Sequence, residues 1–162
     1  MIRPVKREDA QDITNIYNHY VQNTVITFEE DCIDSNEMVK RITKVTDLNL
    51  PWLVIEKNDT LVGYAYATPW KARSAYRFSV EATVYLSPTQ QRKGLGTQLY
   101  QALFSELKQQ SIHAIMGGIT LPNPASVALH EKLGMTKVAH FQQVGFKFGQ
   151  WLDTGYWQLT LD

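Results

Sequence analysis

Hydrophobic positions along this chain follow two rhythms. Near the N-terminus, Ile13, Ile16, Tyr17, Tyr20 and Val21 recur at spacings of three and four, which predicts one buried helical face with Asp9 as its cap. Asp34 followed by Glu37 has the form of a capping box for a second helix reaching Val45. Ahead of both, residues 2–5 read as a short strand. The rhythm then shortens. Residues 52–56 and 61–67 predict two strands joined by a tight turn at Asn58-Asp59, hence a hairpin. Residues 78–86 predict a long central strand, and a helix from Gly94 to about Gln110 would bury Leu99, Leu103 and Leu107. A strand over 114–120, a short helix over 125–133 closed by Gly134, and aromatic-rich strands around 138–148 and 151–161 complete the chain. Helices in front, a hairpin, then strand–helix–strand–helix–strand predict an α/β or α+β fold with a mixed sheet.

Bulk properties narrow the picture. With 162 residues, no repeats and no long linker, one continuous domain over 1–162 with a full core is expected. Lys plus Arg and Asp plus Glu number 16 each, so no global field favours nucleic acid or an anionic membrane. No apolar run approaches the ~18 residues of a membrane span, and the N-terminus has no apolar signal core. The lone Cys32 excludes an internal disulfide and has no His–Asp or His–Asn arrangement anchored to it. A cytoplasmic location is therefore expected. His19, His113 and His140 lack ligand-like spacing, so no metal site is expected.

The chemistry concentrates between Val84 and Leu103, V-Y-L-S-P-T-Q-Q-R-K-G-L-G-T-Q-L-Y-Q-A-L. A strand, a Ser-Pro stop, a basic glycine loop and a helix follow in turn. Such a junction aims several backbone N–H groups and the positive end of a helix dipole at one point, which suits a phosphate or pyrophosphate. Gln91, Arg92, Lys93, Gly94 and Gly96 form the loop. Gly-Lys-Ser/Thr after a longer spacer is missing, which excludes a P-loop, and Leu99 stands where a Rossmann fingerprint needs its third glycine. The pattern that fits is Q-x-x-G-x-G. On the strand before it, alternation places Ser79, Glu81, Thr83 and Tyr85 on one face and Val80, Ala82, Val84 and Leu86 on the other. A carboxylate in the middle of a core strand is either paired, solvated or chemically used.

Q-x-x-G-x-G resembles the pyrophosphate loop by which GNAT-type N-acetyltransferases hold acetyl-coenzyme A, and the order of elements is similar to the GNAT fold. The run from Asn123 to Met135, N-P-A-S-V-A-L-H-E-K-L-G-M, resembles the coenzyme A motif of that family. More specifically, W-L-V at Trp52, P-W-K-A-R-S-A-Y at Pro69, E-A-T-V-Y-L-S-P at Glu81 and V-G-F-K-F-G-Q-W-L-D at Val144 resemble phosphinothricin N-acetyltransferases. Their relatives acting on methionine sulfoximine and methionine sulfone look similar, and the likeness runs from I-R-P to W-Q-L. The resemblance implies a mixed, mostly antiparallel sheet of about seven strands with about four helices, and acetyl-coenzyme A as co-substrate without a metal.

It further implies a general base at Glu81, acting directly or through water. Cofactor contacts are implied at Val84, Tyr85, Leu86, Gln91, Arg92, Lys93, Gly94, Leu95, Gly96, Thr97, Asn123 and Ser126. His130 follows the phosphinothricin branch where the wider family has tyrosine, and is either an acid for the leaving thiolate or a packing residue. Substrate contacts are expected at Phe28, Glu29, Lys71, Arg73, Ser74, Ala75 and Tyr76, whose cations suit an anionic amino-acid analogue; Arg77 is either a further contact or structural. Aromatic loading at Phe141, Phe146, Phe148, Trp151, Tyr156 and Trp157 predicts a homodimer through the C-terminal strands, with 144–147 near the partner's substrate site. Two other functions remain open: a non-catalytic acyl-coenzyme A sensor, and acetylation of a different amine such as a polyamine or protein N-terminus.

Overall fold

Why the chain takes its shape is legible element by element in a computed structural model, which describes residues 1–162. The first strand, β1 (Ile2–Pro4), is followed by a turn of 3-10 helix, Arg7–Asp9, and then by α1 (Ala10–Asn23). Asp9 differs from its expected part. Its carboxylate accepts from the Lys6 N–H and pairs with Arg3 at 2.8 Å, so it closes the 3-10 turn rather than capping α1. α2 (Ser35–Asp47) does begin on Asp34, whose Oδ1 accepts from the Glu37 N–H at 2.8 Å. The reciprocal half of that box is absent because the Glu37 carboxylate turns to Arg41, one helical turn on.

β2 (Trp52–Lys57) and β3 (Thr60–Pro69) form the expected hairpin, with Asn58 and Asp59 at φ 51° and 58°. β4 (Ser79–Leu86) leads through a Pro88–Gln90 turn into α3 (Leu95–Gln109), then β5 (Ala114–Leu121), α4 (Pro124–Lys132), β6 (Thr136–Lys147) and β7 (Gln150–Thr160). The seven strands lie in the order β1-β2-β3-β4-β5-β7-β6, antiparallel except for β4 beside β5. Strand alternation sorts the apolar residues into two cores on opposite faces. Leu53, Ile55, Val80, Ala82 and Ile115 meet Leu99, Leu103 and Leu107 of α3 on one face. Trp52, Val54 and Tyr64 meet Ile13, Tyr17 and Val21 of α1 and Met38 and Ile42 of α2 on the other.

One departure from regularity positions everything else. β4 and β5 pair over only three positions, Ser79 with Ala114 through Glu81 with Met116. Beyond that point β4 stays with β3 as far as Leu86, and β5 stays with β7 as far as Leu121. The sheet opens into a fork whose vertex lies at Glu81.

Candidate active site

Backbone hydrogen bonds show what lines the fork. The Trp70 N–H donates to Ser79 O and the Ser87 N–H to Val62 O, so odd-numbered residues of β4 turn their backbone groups to β3. Even-numbered ones turn toward β5. The next ladder acceptor past the vertex, Ala82 O, instead accepts from the buried Tyr100 hydroxyl of α3 at 3.1 Å. Leu86 O accepts from the Tyr20 hydroxyl of α1. Of the groups at Leu86 expected to meet the cofactor, the carbonyl already accepts one hydrogen bond within the protein. Val84 keeps both backbone groups, and Leu86 its N–H, turned to the gap.

The glycine loop follows where β4 ends. Gly94 is the residue before α3, with φ +75°, a conformation that favours glycine. Since α3's first ladder bond is Gln98 N–H to Gly94 O, the N–H groups of Leu95, Gly96 and Thr97 remain unbonded within the helix. Arg92 stands exposed beside them, whereas Lys93 Nζ folds back onto Thr89 O and Gln90 Oε1 at 3.3 and 3.1 Å. Gln91 is used internally, its Nε2 donating to the Tyr20 hydroxyl at 3.0 Å. Gly96 is buried, and a Cβ there would come within 3.3 Å of Leu129, so it lets α4 pack on α3.

Glu81 is half-buried and makes no hydrogen bond or ion pair within the protein. Burial pushes its carboxyl above the usual range, partly opposed by the charge of Lys71. It shares a face with Gly118 of β5, where a Cβ would lie 3.1 Å from Glu81 Oε1 and 3.1 Å from the Tyr156 ring. Tyr156 sits opposite Gly118 on β7, and Trp70 packs edge-on against it at 5.4 Å. Nothing in the local sequence separates Gly118, Trp70 and Tyr156 from ordinary core residues; only the pairing of β5 with β7 brings them to Glu81. A cavity of about 640 Å³ between α2 and β3 includes Trp70 and Lys71 but not Glu81, so it adjoins this site without containing the carboxylate.

His130 lies on the other side of the sheet. It is 3% exposed beneath Gly117, where a Cβ would fall 2.6 Å from the imidazole. Nδ1 lies 2.7 Å from Ser126 O, a pure acceptor, so Nδ1 carries the proton and Nε2 presents a lone pair 3.5 Å from the Tyr100 hydroxyl. Burial lowers the imidazole's pKa, partly offset by that hydrogen bond. Asn123 caps α4, its Oδ1 accepting from the Ser126 N–H at 3.1 Å, which leaves only its amide nitrogen for another partner.

The expected substrate residues divide. Lys71 reaches Glu81 electrostatically and stacks on Trp70 at 5.2 Å. Arg73, Ser74, Ala75 and Tyr76 stand exposed on a one-turn 3-10 helix, and Arg77 packs on Phe78 at 4.4 Å. Glu29 pairs with Arg41 and so is directed to α2. Phe28 lies over Gly145 of β6, and the neighbouring Thr27 O accepts from Lys147 at 2.8 Å, a lysine only 1% exposed. Of residues 144–147, expected near a partner's substrate site, Gly145 and Lys147 turn inward onto this chain's own loop, while Val144 and Phe146 stand exposed. Trp157, likewise, belongs to the core at 2% exposure.

Comparison with known proteins agrees with this geometry. The family described as the acetyltransferase (GNAT) domain matches residues 2–155. A phosphinothricin N-acetyltransferase of Streptomyces viridochromogenes is 40% identical, covering 97% of this chain and 85% of that protein. An L-methionine sulfoximine/L-methionine sulfone acetyltransferase of Salmonella typhimurium is 38% identical over 99% and 94%. The structure of an acetyltransferase of Salmonella typhimurium with its cofactor acetyl-CoA superposes with a TM-score of 0.97 at 38% identity, covering 100% of this chain and 94% of that one.

Proposed function

This chain belongs to the GNAT acetyltransferase family, and from that premise we propose how its residues acetylate the α-amine of a small, anionic amino-acid analogue, such as phosphinothricin, methionine sulfoximine or methionine sulfone. It is an acetyl-CoA-dependent N-acetyltransferase. The substrate class comes from the relatives and is supported by the cations around the site, Lys71 and Arg73, which suit a carboxylate and a second polar oxygen group.

The observation that carries the mechanism is the unpaired, half-buried Glu81 at the vertex of a fork between two strands. The fork lets the two substrates meet from opposite faces. The N–H groups that open α3, with Arg92 beside them, hold the pyrophosphate, and the pantetheine arm runs along the exposed backbone of Val84 and Leu86. The acceptor lies on the Glu81 face. Glu81 takes a proton from the ammonium, and the freed nitrogen lone pair attacks the thioester carbon. The Val84 N–H donates to the oxygen as it gains negative charge. The C–S bond then breaks with its electron pair on sulfur, and the second proton of the new C–N bond's nitrogen passes to the thiolate. His130 serves as a wall of the cofactor side rather than the acid, since its one proton is committed to Ser126 O.

Acid and base arms are tested together by thiol release from acetyl-CoA over a panel of amines, including phosphinothricin, both methionine analogues, common amino acids and spermidine. Turnover on the first three and not on spermidine is the expected result. Acetyl-CoA binding with no turnover on any amine would leave only a sensor.

We further infer a homodimer joined through the sheet edge. Phe141, Val144, Phe146, Phe148 and Trp151 are each about half exposed or more along β6 and the start of β7, more apolar surface than a monomer's edge strand carries. Light scattering at micromolar concentration is expected to give twice the 18.6 kDa chain mass; a monomer there would remove the dimer.

A further inference from the structure

We propose that Tyr156 is a second acceptor-side residue of the transfer: its phenol oxygen accepts one N–H of the incoming amine while Glu81 removes another proton, and Gly118, having no side chain, lets the two groups close in on one another. The inference rests on the acetyltransferase reading above and adds to it a residue that fixes the direction of the lone pair.

The geometry is that of a cradle. Gly118 is exposed, and the place of its missing side chain lies 3.1 Å from Glu81 Oε1, 3.1 Å from Tyr156 Cε1 and 3.3 Å from Tyr156 Cζ. The Glu81 carboxylate from the β4 side and the Tyr156 ring from the β7 side therefore close over the same point of β5, so an amine that reaches one lies beside the other. The ring cannot drift from this place. Its β5 neighbour across the ladder is Gly118 itself, and Trp70 and Phe141 pack edge-on against it at 5.4 and 6.0 Å. Neither the Glu81 carboxylate nor the Tyr156 hydroxyl spends its capacity on the protein, although both are partly buried. Two such groups converging on one open point are a polar site awaiting a ligand with several N–H donors. The phenol stays neutral, since burial and the Glu81 charge both raise its pKa, so its oxygen keeps acceptor lone pairs. A primary ammonium meets these demands. One N–H goes to the phenol oxygen and one proton to Glu81, which leaves the lone pair free for the thioester lodged in the fork.

Tyr156→Phe keeps the ring and its packing and removes only the oxygen. With acetyl-CoA and L-methionine sulfone, acceptor kcat/KM is expected to fall roughly tenfold to a hundredfold, while the KM for acetyl-CoA stays within about twofold and the melting temperature within about 2 °C. Gly118→Ala, which fills the cradle, should produce a loss of the same kind with acetyl-CoA binding by calorimetry unchanged. A Tyr156→Phe enzyme within about twofold of the parent on the acceptor would overturn the assignment and leave the acetyltransferase standing. Equal losses toward both substrates, or a collapse in melting temperature, would overturn it too, by showing that the ring only supports the fold. Failure of the parent itself on every primary amine would instead bring down the reading on which the assignment rests.

Discussion

Gly117 and Gly118 are adjacent on β5 and look alike in the sequence, yet they serve opposite sides of the sheet. Gly117 faces a dry interior, where the His130 imidazole presses against it with its proton already given to Ser126 O. Gly118 lies under two polar side chains, Glu81 and Tyr156, that no other group of the protein satisfies. The first lets a buried side chain pack; the second lets two unsatisfied polar groups approach one another. The side chains on the Gly117 face are satisfied internally, as Tyr100 and Ala82 also show, whereas those on the Gly118 face are not. A core glycine and a site glycine can thus be told apart by whether their neighbours' hydrogen-bonding capacity is already used.

The sharpest way to break this contrast is Glu81→Gln. It should lower acceptor kcat/KM at least about a hundredfold, with acetyl-CoA binding retained. Turnover indifferent to the change would remove Glu81 from the mechanism. Next come the glycines themselves. Gly117→Ala should destabilise the fold by about 1–3 kcal/mol, because a Cβ 2.6 Å from the imidazole forces core atoms apart. Gly118→Ala should cost less stability than this, its Cβ meeting Glu81 and Tyr156 at 3.1 Å rather than 2.6 Å, and most of the acceptor activity. Equal melting temperatures for the two variants would erase the distinction between the faces.

A smaller effect is expected at the glycine loop. Arg92→Ala should raise the KM for acetyl-CoA several-fold, about threefold to tenfold, and more than Lys93→Ala, since the Lys93 ammonium already donates within its own loop. Finally, the two titrating groups, shifted in opposite directions, should lower different quantities in acid. The raised Glu81 pKa displaces the acidic limb of acceptor kcat/KM upward from the ordinary carboxylate range. His130 has a folded pKa below its unfolded value, so the unfolded chain binds the extra proton. Its stabilising contribution is complete above about pH 6.5 and is lost as pH falls from there toward the folded value. Melting temperatures between pH 8 and pH 5 should therefore fall less steeply for His130→Gln than for the parent.

Much of this was written in the chain, though unevenly. The faces of β4 follow from alternation alone, so Glu81 was placed opposite Val80 and Ala82 before any contact was known. Asp34 and the period-three-and-four rows of α1 and α3 likewise identify themselves, because their partners lie within one turn. Asp9 misled for a long-range reason: Arg3, across from Glu56 on β2, holds its carboxylate away from α1. The side chains of Gln91 and Glu29 likewise have partners that no local pattern shows, since Tyr20 and Arg41 come to them from other helices.

The sequence by itself determined the family, the strand–loop–helix with its glycine loop, and the carboxylate in the central strand, all of which depend on residues close together along the chain. Only the tertiary structure decided which hydrogen-bonding groups were left over. The Leu86 carbonyl is taken by a helix some 66 residues away, and Tyr156 is delivered to Glu81 by a strand that pairs antiparallel with β5. Local pattern sets where a side chain points; what it meets there depends on which distant strand or helix arrives first to satisfy it.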